Sequence, residues 1–193
     1  MKPDIIHRYL PIQCYGQSRL YYQPKPLMPE GVVQHFFSGQ YTFSKDPFDL
    51  EKCWRLMHDL NMQPEDRQFD LYPDDAPKVS ASAHFMIGRE GEIVQLVPLD
   101  FQAWHAGKSK WKGRSNCNDF MIGIENIGLL NFKYTEYQYK ANAALCRWLM
   151  DEYGFSLDMI TGHENVAPGR KKDPGPTFNW DLLHDLINGA LDS

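Results

Sequence analysis

The chain predicts a single α/β layer domain. Short β-branched and aromatic runs alternate with segments of helical apolar period, and no internal repeat or low-complexity tract interrupts them. A length of 193 residues with 42% hydrophobic and 23% charged composition suits one globular unit with a substantial core. Residues 1–30 carry Pro24, Pro26 and Pro29 without any sustained period, so an irregular arm is expected there and the folded domain over 31–193. Gly31–Phe37 is β-branched and aromatic, a buried strand with His35 near its end. From Pro47 to about Asn61, Leu50, Cys53, Trp54, Met57 and Leu60 recur at three- and four-residue steps, predicting a helix with Asp46 as its N-cap.

Residues 62–78 contain Gln63-Pro64-Glu65-Asp66 and Tyr72-Pro73-Asp74-Asp75, which predicts an exposed acidic loop. Ala83–Gly88 and Glu92–Val97 read as a hairpin turning at Gly91, and Phe120–Ile127 as another strand. Thr135 and Gln138 form a capping-box pattern before a helix whose face is Ala141, Ala144, Leu145, Trp148 and Leu149, with Gly154 as its stop. A short strand at Leu157–Thr161 and a last helix at about Trp180–Leu191 complete the pattern.

Twenty Lys and Arg against twenty-five Asp and Glu leave a formal charge of −5, which argues against a nucleic acid partner. Cys14, Cys53, Cys117 and Cys146 include no C-x-x-C pair and are expected to be reduced thiols. Lys2, Pro3, Asp4, His7 and Arg8 break up any signal-peptide apolar run, and no stretch is long enough to cross a membrane. The expectation is cytoplasmic synthesis, no membrane insertion and a monomer.

Of seven histidines, His7, His58 and His184 read as surface or packing residues, leaving His35, His84, His105 and His163. His163 follows a predicted strand and opens a run rich in Pro and Gly that reaches Asp173; this composition disfavours a helix and suits a loop that folds the carboxylate back. The same run, with Arg170-Lys171-Lys172, also reads as a solvated basic loop. Strand-borne imidazoles and a loop carboxylate would supply the three N/O ligands of a catalytic zinc ion with one open position.

Five ordered blocks sharpen this. They are Val79–Ile87 around His84, Gly91–Pro98, Ala103-Trp-His-Ala-Gly107, Cys117–Glu125 and Thr161–Pro176. Together they resemble the type-2 zinc N-acetylmuramoyl-L-alanine amidases. The resemblance implies a central mixed sheet flanked by helices, zinc ligands His35, His163 and Asp173, and catalytic partners Glu125 and Lys171, with Lys172 an alternative to the latter. Such a site would cut the amide joining N-acetylmuramic acid to L-alanine, with Glu125 moving the proton and Lys171 facing the oxyanion. His84 and His105 match no ligand position. His84 is expected to brace the sheet, whereas Trp104, His105 and Phe36 are candidate substrate contacts in a peptidoglycan or muropeptide groove.

Two departures stand out. His35-Phe36-Phe37-Ser38 lacks the small polar or His residue that many relatives carry after the first ligand, and Ala83 stands where some phage relatives place a catalytic Tyr, leaving Glu125 alone in acid/base work. The first departure and the N-terminal third tilt the reading toward a lytic, phage-type enzyme that reaches the wall after release through the membrane. A recycling amidase for 1,6-anhydromuropeptides and a non-catalytic peptidoglycan-binding module are the alternatives.

Overall fold

The computed structural model describes residues 1–16, 28–39, 46–69, 71 and 78–189. Its elements, in chain order, are β1 (Ile6–His7), β2 (Val32–Phe37), α1 (Leu50–Leu60), β3 (Phe85–Ile87), β4 (Ile93–Gln95), β5 (Lys110–Trp111), β6 (Arg114–Ser115), β7 (Ile122–Ile127), α2 (Glu136–Tyr153), β8 (Ile160–Gly162), α3 (His163–Val166) and α4 (Trp180–Ile187). Six strands form one mixed sheet in the order β1-β4-β3-β7-β2-β8. The β3–β4 pair is antiparallel and the other pairs are parallel. The expected α/β layer architecture is the one observed. Among the described residues, no helix is long and apolar enough to cross a membrane.

Strand alternation sorts the side chains into two faces. Val32, Phe85, Ile87, Ile122 and Ile124 point to one face and pack with Leu145 and Leu149 of α2 and Leu183 and Leu186 of α4. We call this the back face. Each such side chain withdrawn from water contributes about 1.5–3 kcal/mol. The front face carries Val33 and Met121 against Ala106 and Val166, and Met86 and Val94 against Cys53 and Met57 of α1. All four cysteines are buried and free.

Local signals set several boundaries. Gly91 takes φ +88° in the β3–β4 turn, and Gly154 ends α2 at φ +72°, a region open to glycine at little cost. The Thr135–Gln138 capping box forms with both hydrogen bonds. Other expectations need correction. The N-cap of α1 is Asp49, whose side chain accepts from the Lys52 N–H at 2.7 Å, so the helix starts three residues after Pro47 rather than at it. The N-terminal arm is partly built in: β1 pairs with β4, and Leu10 and Cys14 are buried in the front cluster. Leu157–Met159 is a 3-10 turn ahead of β8, and Pro64–Asp66 is another within the acidic loop. The small β5–β6 hairpin had no clear sequence signal. Pro24, Pro26, Tyr72-Pro73-Asp74-Asp75 and Leu191 lie outside the described residues.

Candidate metal centre and active site

The front face of the sheet assembles the site. β2 and β7 are parallel neighbours with His35 directly opposite Glu125 in the register, so both side chains leave the same face. β8 flanks β2 on its other side, and its next residue, His163, opens α3. The expected loop is therefore a single helical turn before the chain leaves at Ala167. Even a Pro-rich stretch tolerates a turn whose first residues need no intrahelical N–H partner, and the prolines come later. The Ala167 carbonyl accepts from the Arg170 and Lys171 N–H groups, and the Asp173 carbonyl accepts from the Glu164 N–H at 2.9 Å. The Tyr134 hydroxyl donates to the Pro174 carbonyl at 2.8 Å. These bonds fold the carboxylate back toward His163.

His35, His163 and Asp173 converge. Asp173 Oδ2 lies 2.8 Å from His35 Nδ1 and 2.9 Å from His163 Nδ1. One ligand atom from each of the three falls within 4.8 Å of the others. His163 Nε2 sits 3.1 Å from the Ala106 carbonyl, which only accepts, so a neutral ring carries its proton on Nε2 and turns a bare Nδ1 toward Asp173. In that tautomer His163 offers Nδ1 as a free donor atom beside the Asp173 carboxylate. Two imidazole nitrogens and one carboxylate form a donor set that suits zinc.

The electrostatics separate the two carboxylates. Burial alone would raise the Asp173 pKa, but His163 and His35 outweigh it and hold the group well below the usual carboxylate range. Glu125 goes the other way: burial, and then the charge of Asp173, push it well above the ordinary value, with Lys171 pulling weakly back. Its Oε2 atom is buried without a hydrogen-bond partner. His35 is lowered to about 4, chiefly by burial, and is therefore a neutral, ligand-ready imidazole at neutral pH.

A cavity of about 280 Å³ opens over these groups. It is lined by Glu125, Lys171 and the three converging residues together with Phe36, Trp104 and His105. A second cavity of about 440 Å³ continues past Trp104, Lys171 and Arg170. Lys172 lines neither. Phe36 is shared with the back-face cluster, Trp104 is half-buried, and His105 is buried. His84 braces the sheet as expected: its Nδ1 accepts from the Gly123 N–H at 3.0 Å, and its Nε2 lies 3.1 Å from the Phe101 carbonyl. His7, His58 and His184 stand apart from this site; His58 pairs with the buried Asp59.

Three contributors escaped the sequence reading. Asn118 Oδ1 accepts from the N–H groups of His105 (3.2 Å) and Ala106 (2.8 Å), fixing the segment that carries Trp104. Arg170, taken as part of a solvated basic cluster, donates to the Ala106 and Lys108 carbonyls. Tyr134 anchors the Asp173 loop from a distance of 40 positions. An Asx residue in a turn hints at backbone bonding, but nothing local names partners so far along the chain.

A family model described as N-acetylmuramoyl-L-alanine amidase matches residues 27–176. The chain is 52% identical over 106 residues to the 1,6-anhydro-N-acetylmuramyl-L-alanine amidase AmpD of Salmonella typhimurium (strain SL1344), covering 55% of this chain and 57% of that protein. The matched stretch thus spans a little over half the length of that relative. A crystal structure of an AmpD derivative superposes with a TM-score of 0.73 at 35% identity, covering 95% of this chain and 94% of the other. An endolysin N-acetylmuramoyl-L-alanine amidase, LysCS from Clostridium intestinale URNW, gives a TM-score of 0.62 at 19% identity over 97% of both chains, a likeness of fold alone.

Proposed function

The chain belongs to the N-acetylmuramoyl-L-alanine amidase family, and we propose that it hydrolyses the N-acetylmuramic acid to L-alanine amide of soluble 1,6-anhydromuropeptides. The tilt toward a lytic enzyme gives way to the recycling alternative, because high identity lies with AmpD whereas the endolysin likeness is confined to the fold. A non-catalytic binding module would have no use for a buried, unpartnered acid beside a complete donor set.

The single observation that carries the reading is the meeting, in one cavity, of His35, His163 and Asp173 with the orphaned Oε2 of Glu125. In this reading the first three hold zinc. When bound, zinc supplies a Lewis acid that polarises the scissile carbonyl and acidifies water. Glu125 accepts the proton of the attacking water and returns it to the leaving nitrogen of L-alanine. Burial, and then the charge of Asp173, raise its proton affinity above that of an ordinary carboxylate. The Lys171 ammonium, two residues before Asp173, faces the charge that develops on the carbonyl oxygen. Trp104 and Phe36 offer apolar surface to the sugar and peptide at the cavity wall.

The test is product analysis. Zinc-loaded protein is given a soluble 1,6-anhydromuropeptide and, separately, intact sacculi, and the products are read by mass spectrometry. Stem peptide with a free L-Ala amino terminus, released faster from the soluble substrate, is the expected result. Release only from sacculi would restore the lytic reading, and glycan fragments would reject amide cleavage.

A further inference from the structure

His105 stands in the cavity wall, where a sugar or peptide contact was expected. Both of its ring nitrogens are already committed inside the protein. Nε2 lies 3.2 Å from the Met121 carbonyl oxygen and Nδ1 lies 3.1 Å from His35 Nε2. A carbonyl only accepts, so the neutral ring carries its proton on Nε2 and presents a bare Nδ1. That lone pair obliges His35 to hold its own proton at Nε2. His35 Nδ1 is then free of a proton and points at Asp173 Oδ2, 2.8 Å away.

We propose that His105 is a positioning residue of the metal centre, locking His35 in the Nε2-protonated tautomer and at the ring angle that presents Nδ1 to zinc. The proposal rests on the reading of His35, His163 and Asp173 as zinc ligands.

The surroundings hold the His105 ring in one place. A Cβ on Gly123 would come within 2.5 Å of His105 Cγ, so this strand position is glycine because the imidazole lies directly on the β7 backbone. On the other side the ring meets the edge of His84 at a centroid distance of 5.8 Å and an interplanar angle of 70°. The backbone N–H of His105 is held by Asn118 Oδ1. The adjacent Ala106 carbonyl accepts from His163 Nε2. One dipeptide therefore orients both ligand imidazoles, the first through a side chain and the second through a carbonyl. Outer partners of this kind commonly set a ligand's tautomer and ring orientation.

Two substitutions separate this role from a packing or substrate-contact role. His105→Phe keeps the ring volume and removes the acceptor, whereas His105→Asn places an amide oxygen near the site of the lost Nδ1. Zinc affinity, measured by competition with a chromophoric chelator, is expected to fall roughly 10–100-fold in the first variant and to stay within about threefold of wild type in the second. KM for the muropeptide should hold in whatever enzyme is zinc-loaded. A raised KM with zinc affinity unchanged would overturn the proposal in favour of substrate contact, and equal zinc affinity in His105→Phe would overturn it outright.

If His105→Phe fails to fold, the zinc-loaded wild type still decides. Long-range proton–nitrogen spectra should show a through-hydrogen-bond coupling between His35 Nε2 and His105 Nδ1. A proton on His105 Nδ1 rejects the lock. The affinity and the spectra use no substrate, so an error in the proposed substrate leaves both intact, whereas wild-type protein that binds no zinc removes the metal reading as well.

Discussion

The two faces of the central sheet use polar residues in opposite ways. On the back, Gln34 and Asn126 meet Asn142 of α2. Gln34 Nε2 donates to Asn142 Oδ1 at 2.9 Å, Asn142 Nδ2 donates to Gln34 Oε1 at 2.8 Å and to Asn126 Oδ1 at 2.9 Å, and Asn126 Nδ2 donates to Gln34 Oε1 at 2.9 Å. This network sits in the apolar layer with its donors and acceptors matched. One residue along each strand, on the front, His35 Nδ1 faces Asp173 Oδ2 at 2.8 Å and Glu125 ends in an unpartnered oxygen. The back face turns polarity into a rigid support, whereas the front face leaves a buried carboxylate oxygen unmet, the group that the proposed reaction uses to move a proton. Matched buried polar groups stabilise a fold modestly, and unmatched ones cost free energy that a function has to justify.

Four measurements test this contrast. The largest effect is expected for Glu125→Gln, which should lower turnover by roughly 10²–10⁴-fold while zinc content, read by plasma mass spectrometry, stays at wild-type level. Retained turnover would mean that the front face carries its proton elsewhere. Next comes Lys171→Ala, expected to reduce kcat by about 10²–10³-fold, with Lys172→Ala within roughly twofold of wild type. The reverse pattern in steady-state assays would hand the oxyanion role to the other lysine.

Asn142→Ala probes the back face. It strands amide groups of Gln34 and Asn126 and should destabilise the protein by about 1–3 kcal/mol in denaturant titrations, leaving kcat/KM of the folded enzyme unchanged. A large loss of activity without loss of stability would show that the two faces are not separable. The smallest effect concerns pH. The folded-state pKa of Glu125 lies above the ordinary 4.5, so the native state retains the proton longer than the unfolded chain does. Stability from this group is full below about pH 4.5 and is lost as pH rises toward the folded value. In chelator-treated protein, Glu125→Gln should therefore melt above wild type at pH 7, and the gap should narrow as pH falls toward about 4.5 and change no further below it. A gap that widens on acidification would contradict the assigned burial.

Much of the scaffold was legible because its signals are local. The Thr135–Gln138 box, the Gly154 stop and the Gly91 turn each depend on groups within one turn of chain, and all three appear where expected. The start of α1 was misplaced because Asp46 and Asp49 both fit an N-cap, and the choice between them lies in which side chain reaches a free N–H. In the site, the blocks holding Glu125, His163 and Asp173, with His35 near the end of its predicted strand, pointed to residues that the fold gathers in one cavity. His105 was read as a groove contact, since no local pattern shows that its nitrogens face Met121 and His35. Arg170 looked solvated for a similar reason: its carbonyl partners, Ala106 and Lys108, lie more than 60 positions away.

Residue order alone specified the alternation of strand and helix, the two-residue period that sends neighbouring side chains of one strand to opposite faces, and the types of donor available to a metal. These follow from the two-residue repeat of a strand and from side-chain chemistry, neither of which needs distant information. Tertiary structure decided which donors meet, which ring nitrogen each histidine turns inward and which carboxylate is left unpaired. His35 and Asp173 are 138 positions apart, and their approach depends on β2 lying between β7 and β8 and on a loop tied down by Tyr134. Hydrogen-bond partners and burial, which set tautomer and proton affinity, come into being only when those remote segments pack together.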